Sequence, residues 1–147
     1  MLKLFFYTPL GPADRIHHLL CTGQSLSVGA AGAPALSTSQ PFGNLMFNTG
    51  VAQSGGQNLT ALTPLVEAGV ETMESGLANG LTAYALSSLG KRPQHLVSCH
   101  GIGGTAYAGL KKGTAAYANG LAQVRAAVAL AKAQGRPYTV RAITNVH

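Results

Sequence analysis

Two glycine-flanked segments hold the residues best placed for chemistry. In Gly23-Gln24-Ser25-Leu26-Ser27 a serine hydroxyl follows a glycine that lets backbone approach closely, a setting suited to a serine nucleophile. It is not the Gly-x-Ser-x-Gly elbow, because Ser27 stands where the second glycine belongs. In Gly101-Ile102-Gly103-Gly104-Thr105-Ala106 the backbone N–H groups could face an oxyanion. One such donor is typically worth ~3 kcal/mol in a transition state. The same run has the Gly-x-Gly-x-x-Gly/Ala spacing of a dinucleotide fingerprint, so phosphate or nucleotide binding on the 101–104 loop is the rival reading. That rival expects an acid at the end of the next strand, where the sequence is Thr144-Asn145-Val146-His147. Taken singly, each segment also reads as a structural turn.

Acid–base partners are scarce. Asp14, Glu67, Glu71 and Glu74 are the only carboxylate side chains, and none follows Glu74. Asp14-Arg15-Ile16-His17 has an Asp-x-x-His spacing but precedes the serine and runs into a strand, so His17 and His18 are expected to face opposite sides, one of them buried. His100 falls at the edge of the second glycine segment, either touching substrate or bonded to nearby backbone, and His95 reads as a surface residue at a strand start. Cys21 and Cys99 make no disulfide framework; both read as buried thiols near strand ends, and a zinc site would need more ligands at tighter spacing.

The elements that position these residues follow from apolar runs and caps. Arg15–Thr22, His95–Cys99 and Tyr138–Thr144 read as buried strands, with a short strand near Leu45–Phe47 inside an otherwise irregular stretch from Ser25 to Thr63. Thr63-Pro64 is a favourable helix start, giving a helix to Gly90 whose inner face is Val66, Val70, Met73, Leu77 and Tyr84. A second helix spans Thr114–Gln134 with Leu121, Val124, Val128 and Ala131 inward. Strands alternating with helices imply an α/β fold with a parallel sheet, and ligands in such sheets sit beyond the carboxyl ends of the strands. The turns after the three main strands should therefore share one rim.

In this order, Gly-Gln-Ser-Leu, then Gly-Ile-Gly-Gly-Thr with Leu110-Lys111-Lys112-Gly113-Thr114 and Tyr117, the motifs resemble those of SGNH (GDSL-like) hydrolases. The likeness runs from about Ile16 to His147, toward the carbohydrate-esterase branch with sialate O-acetylesterase-like and acetylxylan-esterase-like domains. The resemblance implies a three-layer α/β/α, flavodoxin-like domain, a substrate that is an acylated carbohydrate or other small ester, and no cofactor. It implies Ser25 as nucleophile and its amide as one oxyanion donor, Gly103 or, one residue on, Gly104 as another, and His147 or Asn145 at the third donor position. Gln24 and His100 would contact substrate. The family's Asp-x-x-His block has no counterpart, so residues 1–147 are expected to form a single, C-terminally incomplete domain, inactive or nearly so alone. Its last strand would be an unpaired edge, open to a partner chain or self-association.

The formal charge of +6 reflects few acids rather than a basic tract. Arg125, Lys132 and Arg136 share a helical face, but no aromatic residues interleave with them, so a nucleic-acid partner is not expected. The apolar run Leu2–Tyr7 is too short for a signal-peptide core, and no stretch reaches membrane-spanning length. Asn58-Leu59-Thr60 fits a glycosylation triplet, which has meaning only in a secreted eukaryotic chain.

Overall fold

A computed structural model describes residues 15–53, 55 and 57–146. Asp14 and His147 lie outside these, as does the Leu2–Tyr7 run. Five strands, β1 (Ile16–Gly23), β2 (Leu45–Phe47), β3 (Leu62–Pro64), β4 (Gln94–Cys99) and β5 (Tyr138–Val146), form one sheet in the order β3-β2-β4-β1-β5. The helices are α1 (Met73–Leu89), α2 (Tyr107–Leu110) and α3 (Ala115–Ala133). The fold is α/β. Its sheet is mixed rather than all parallel, since β3 runs antiparallel to β2 while β1, β2, β4 and β5 are parallel to their neighbours.

β3 corrects the expected helix start. Thr63 and Pro64 lie in this outer strand, where a proline without an N–H is tolerated, and the helix begins at Thr72–Met73 instead. Its end is as expected, with Gly90 at φ 61° closing it. Thr114 caps α3, its hydroxyl accepting a hydrogen bond from the Tyr117 amide at 3.3 Å.

Each face of the sheet has its own core. Leu19, Cys21, Val97 and Cys99 pack with Ala78 of α1, whereas Ile16, Phe47 and Leu96 pack with Ala127 and Ala131 of α3. Apart from Ala131, which is buried as expected, the inner helix faces differ from those expected. α1 buries Glu74, Ser75, Ala78 and Thr82, leaving Val70, Met73, Leu77 and Tyr84 exposed. α3 buries Ala116, Gly120, Gln123, Ala127 and Ala131, while Leu121 and Val128 are exposed and Val124 is half-buried. Small residues face inward because the helix lies close to the sheet: a Cβ on Gly120 would come within 2.7 Å of the His100 ring.

The connections set up the site. The chain leaves β1 toward the α1 face, and it leaves β4 through α2 and α3 on the opposite face. Adjacent strands whose connections part in this way open a crevice at their carboxyl ends. β5 closes the other side of β1 and, among the described residues, pairs with no further strand.

Candidate active site

The three turns after β1, β4 and β5 meet at one rim. Gly23 pairs with Val146, and the Gln24 amide donates to the Val146 carbonyl at 2.9 Å. Gly23 has φ 140° and approaches so closely that a Cβ would lie 1.9 Å from the Val146 carbonyl oxygen, so only glycine fits. On the other side, the Ile102 amide donates to the Gly23 carbonyl at 3.0 Å. Gly101 faces Ser27, where a Cβ would come within 2.1 Å of the Ser27 hydroxyl oxygen. Ser27 is itself buried and donates its hydroxyl to the Gln24 carbonyl at 2.6 Å. The second serine thus supports the turn, which explains why a glycine is not needed there.

Ser25 starts a short 3-10 turn, Ser25–Val28, and is exposed at the rim. Gly103 stands beside it: a Cβ on Gly103 would be 3.9 Å from the Ser25 Cα. Among the described residues, the amides of Ser25, Gly103 and Gly104 donate no hydrogen bond, whereas the neighbouring Thr105 amide is taken by Ile102 at 3.3 Å. Backbone N–H groups without partners, on exposed residues next to a serine, are what an oxyanion site draws on. Gln24 is half-buried beside the serine, and Asn145 is exposed on β5 opposite Thr22.

His100 does not join this rim. It is 6% exposed and packs against Gly120 of α3, and burial holds its ring below the usual histidine range. The expected substrate contact finds no exposed ring there. His95 is likewise buried rather than a surface residue; its Nδ1 lies 2.9 Å from the Thr82 hydroxyl, and burial, with a smaller push from His17, lowers its pKa to about 4. His17 and His18 do face opposite sides. His18 is fully buried between the Tyr138 hydroxyl (2.6 Å) and the Ser98 hydroxyl (2.8 Å), and burial lowers its pKa to about 3. Both open β1, about 20 Å of extended strand from Ser25. Among the described residues, then, no histidine presents an exposed ring at the Ser25 rim.

Two of the three described carboxylates are committed elsewhere. Glu67 Oε1 accepts from the Thr72 amide (3.1 Å), the Thr72 hydroxyl (2.6 Å) and the Ser75 hydroxyl (2.7 Å), fixing the start of α1. Glu71 holds the long loop through the Leu36 and Ser37 amides and the Ser37 hydroxyl. Its partial burial raises the pKa, but these hydrogen bonds outweigh that, and the net shift is downward. Glu74 is buried on the α1 face, which raises its pKa. The same loop is pinned by Asn44, whose side chain donates to Asn79 at 3.0 Å and accepts from the His95 amide at 3.0 Å.

The glycine segment also departs from dinucleotide-binding geometry, which needs a long helix opening directly after the glycines. Here a turn and the four-residue α2 intervene before α3. The basic residues Lys132 and Arg136 border a shallow hollow with Val128, Pro137 and Tyr138, at the start of β5 and thus at the other end of the sheet. No helix among the described residues is long and apolar enough to cross a membrane. Comparison of the chain with family models, with curated proteins and with solved structures gives no match.

Proposed function

We propose that this chain carries the nucleophile of a serine ester hydrolase of the SGNH type, with a three-layer α/β/α domain and an O-acetylated carbohydrate as substrate. The observation that carries the reading is the contact of Ser25 with Gly103, with unengaged amides on both residues and on Gly104. In the reaction the Ser25 hydroxyl oxygen attacks the ester carbonyl while a base takes its proton. The carbonyl oxygen, now negative, is met by the Ser25 amide and that of Gly103 or Gly104. Collapse expels the sugar alkoxide, which takes the proton, and water then releases the acid from the acyl-serine. Asn145 or His147 would add the third oxyanion donor, and Gln24 would line the substrate. The open edge of β5 is a pairing surface for a further strand.

No base for Ser25 is identified among the described residues. The chain alone should therefore hydrolyse p-nitrophenyl acetate slowly, and added imidazole should raise the rate in the wild type more than in Ser25→Ala. Equal rates for the two proteins at every imidazole concentration would rule the reading out. A phosphate- or nucleotide-binding loop is the alternative; saturable binding of NAD or ATP that is lost on substitution of Gly103 would favour it instead.

A further inference from the structure

Below the rim, the two cysteines that lie far apart in sequence are register partners: Cys21 on β1 faces Cys99 on β4, and Thr144 on β5 pairs with Cys21 from the other side. Glu74, in the first turn of α1, reaches down onto this row. One ligand atom from each of Cys21, Cys99 and Glu74 lies within 4.8 Å of the other two. Cys21 and Cys99 are 0% exposed and Glu74 is 1% exposed. Neither Glu74 carboxylate oxygen nor the Thr144 hydroxyl oxygen makes a hydrogen bond of normal geometry, and the side chain placed to answer both is the weakly donating Cys21 thiol. An unpartnered buried carboxylate costs several kcal/mol unless a cation or donors answer it. The neighbouring charge that acts on Glu74 is the like charge of Glu67.

We infer that Cys21, Cys99 and Glu74 form a structural zinc site, with the fourth position on the Thr144 side. Two sulfurs and one carboxylate oxygen suit a borderline-soft divalent cation and not magnesium or calcium, which take oxygen ligands. Zinc–sulfur bonds of about 2.3 Å put two thiolates about 3.8 Å apart in a tetrahedral site, so small side-chain rotations would close the cluster. The supporting contacts are present: the Gly101 amide already points at Cys99 Sγ at 3.3 Å. Binding displaces the thiol protons to solvent and leaves a closed, all-buried site. Cys21 and Cys99 each precede a rim residue, Ser25 and Gly103, by four positions, so the ion would staple the two turns together from beneath. This inference does not depend on the esterase reading.

The test uses the full chain, reduced and freed of metal by chelator, with thiols counted after denaturation. One equivalent of Zn2+ should bind in native mass spectrometry and raise the thermal midpoint by several degrees. Co2+ in its place should give a thiolate charge-transfer band that weakens in Cys21→Ser and in Cys99→Ser. Glu74→Gln keeps the shape of the side chain; it should fold by circular dichroism yet bind Zn2+ at least about tenfold more weakly. The proposal is overturned by a reduced, folded chain that takes up no zinc. Uptake unchanged in all three variants, as by His17 and His95 at the far end of the sheet, overturns it too.

Discussion

On the α3 face, His18 sits between the Tyr138 and Ser98 hydroxyls, and Ser98 passes its own hydrogen to Gln123 Oε1 at 2.7 Å. On the α1 face, next to Cys21 and Cys99, Glu74 and Thr144 present oxygens that make no hydrogen bond of normal geometry. His18 and Ser98 are as fully buried as Cys21, Cys99 and Glu74. The first is a closed chain: Ser98 has one hydrogen to give, so His18 must donate from Nε2 and accept from Tyr138 at Nδ1, and every member is satisfied. Such a chain fixes the registry of β1, β4, β5 and α3 and needs no ligand. The second is open, and it lies directly below the turns that carry Ser25 and Gly103. The difference is between a chain of side chains that complete one another and a cluster whose carboxylate and hydroxyl oxygens make no hydrogen bond of their own.

Breaking the closed chain should cost the most. His18→Ala opens a cavity and orphans two hydroxyls, and should lower unfolding free energy by about 3 kcal/mol or more in urea titrations. Acid is a gentler way to break the same chain. His18 has a folded pKa of about 3, below the usual ~6.5 of the unfolded chain, so its stabilisation is complete above pH ~6.5 and declines as pH falls toward 3. Between pH 6.5 and 5 the urea midpoint should register a loss of about 2 kcal/mol from this ring and a similar loss from His95, whose pKa of about 4 is also well below that window, and the His18 share should vanish in His18→Gln.

At the open cluster the sign reverses. Glu74→Gln removes a carboxylate that makes no hydrogen bond of normal geometry, and metal-free protein should gain about 1 kcal/mol in the same titration. The smallest effect concerns the outer edge of β5, where Ile143 is 66% exposed. Ile143→Lys should change stability by less than about 0.5 kcal/mol while reducing concentration-dependent association in light scattering.

Much of this was legible from residue order. The strands carrying His18, Cys99 and Val140 are apolar runs with clear stops, and Thr114 and Gly90 mark helix ends through capping chemistry. The meeting of Ser25 with Gly103 also follows once parallel strands are assumed, because their carboxyl ends must share a rim. Helix rotation was not legible. Leu121 and Val128 outrank Gly120 and Gln123 on any apolar scale, yet the smaller residues face the sheet because His100 and Ser98 need the space and the hydrogen bond. β3 was hidden because Thr63-Pro64 satisfies a helix cap and an outer strand equally well. The Cys21–Cys99–Glu74 cluster was hidden for another reason: strand register is a long-range property, and nothing local in the sequence ties Cys21 to Cys99.

The central claim is that Ser25 is the acyl acceptor beside the Gly103 amide. It is tested most directly by treating the chain with p-nitrophenyl acetate in imidazole buffer and locating the acetyl group by peptide mass spectrometry. Acetylation should fall on Ser25, disappear in Ser25→Ala, and drop in Gly103→Ala, whose methyl would meet the serine backbone in ordinary contact at 3.9 Å and crowd the rim without unfolding it. Acetyl groups spread over lysines, with Ser25 unmodified in the folded wild-type chain, would contradict the claim.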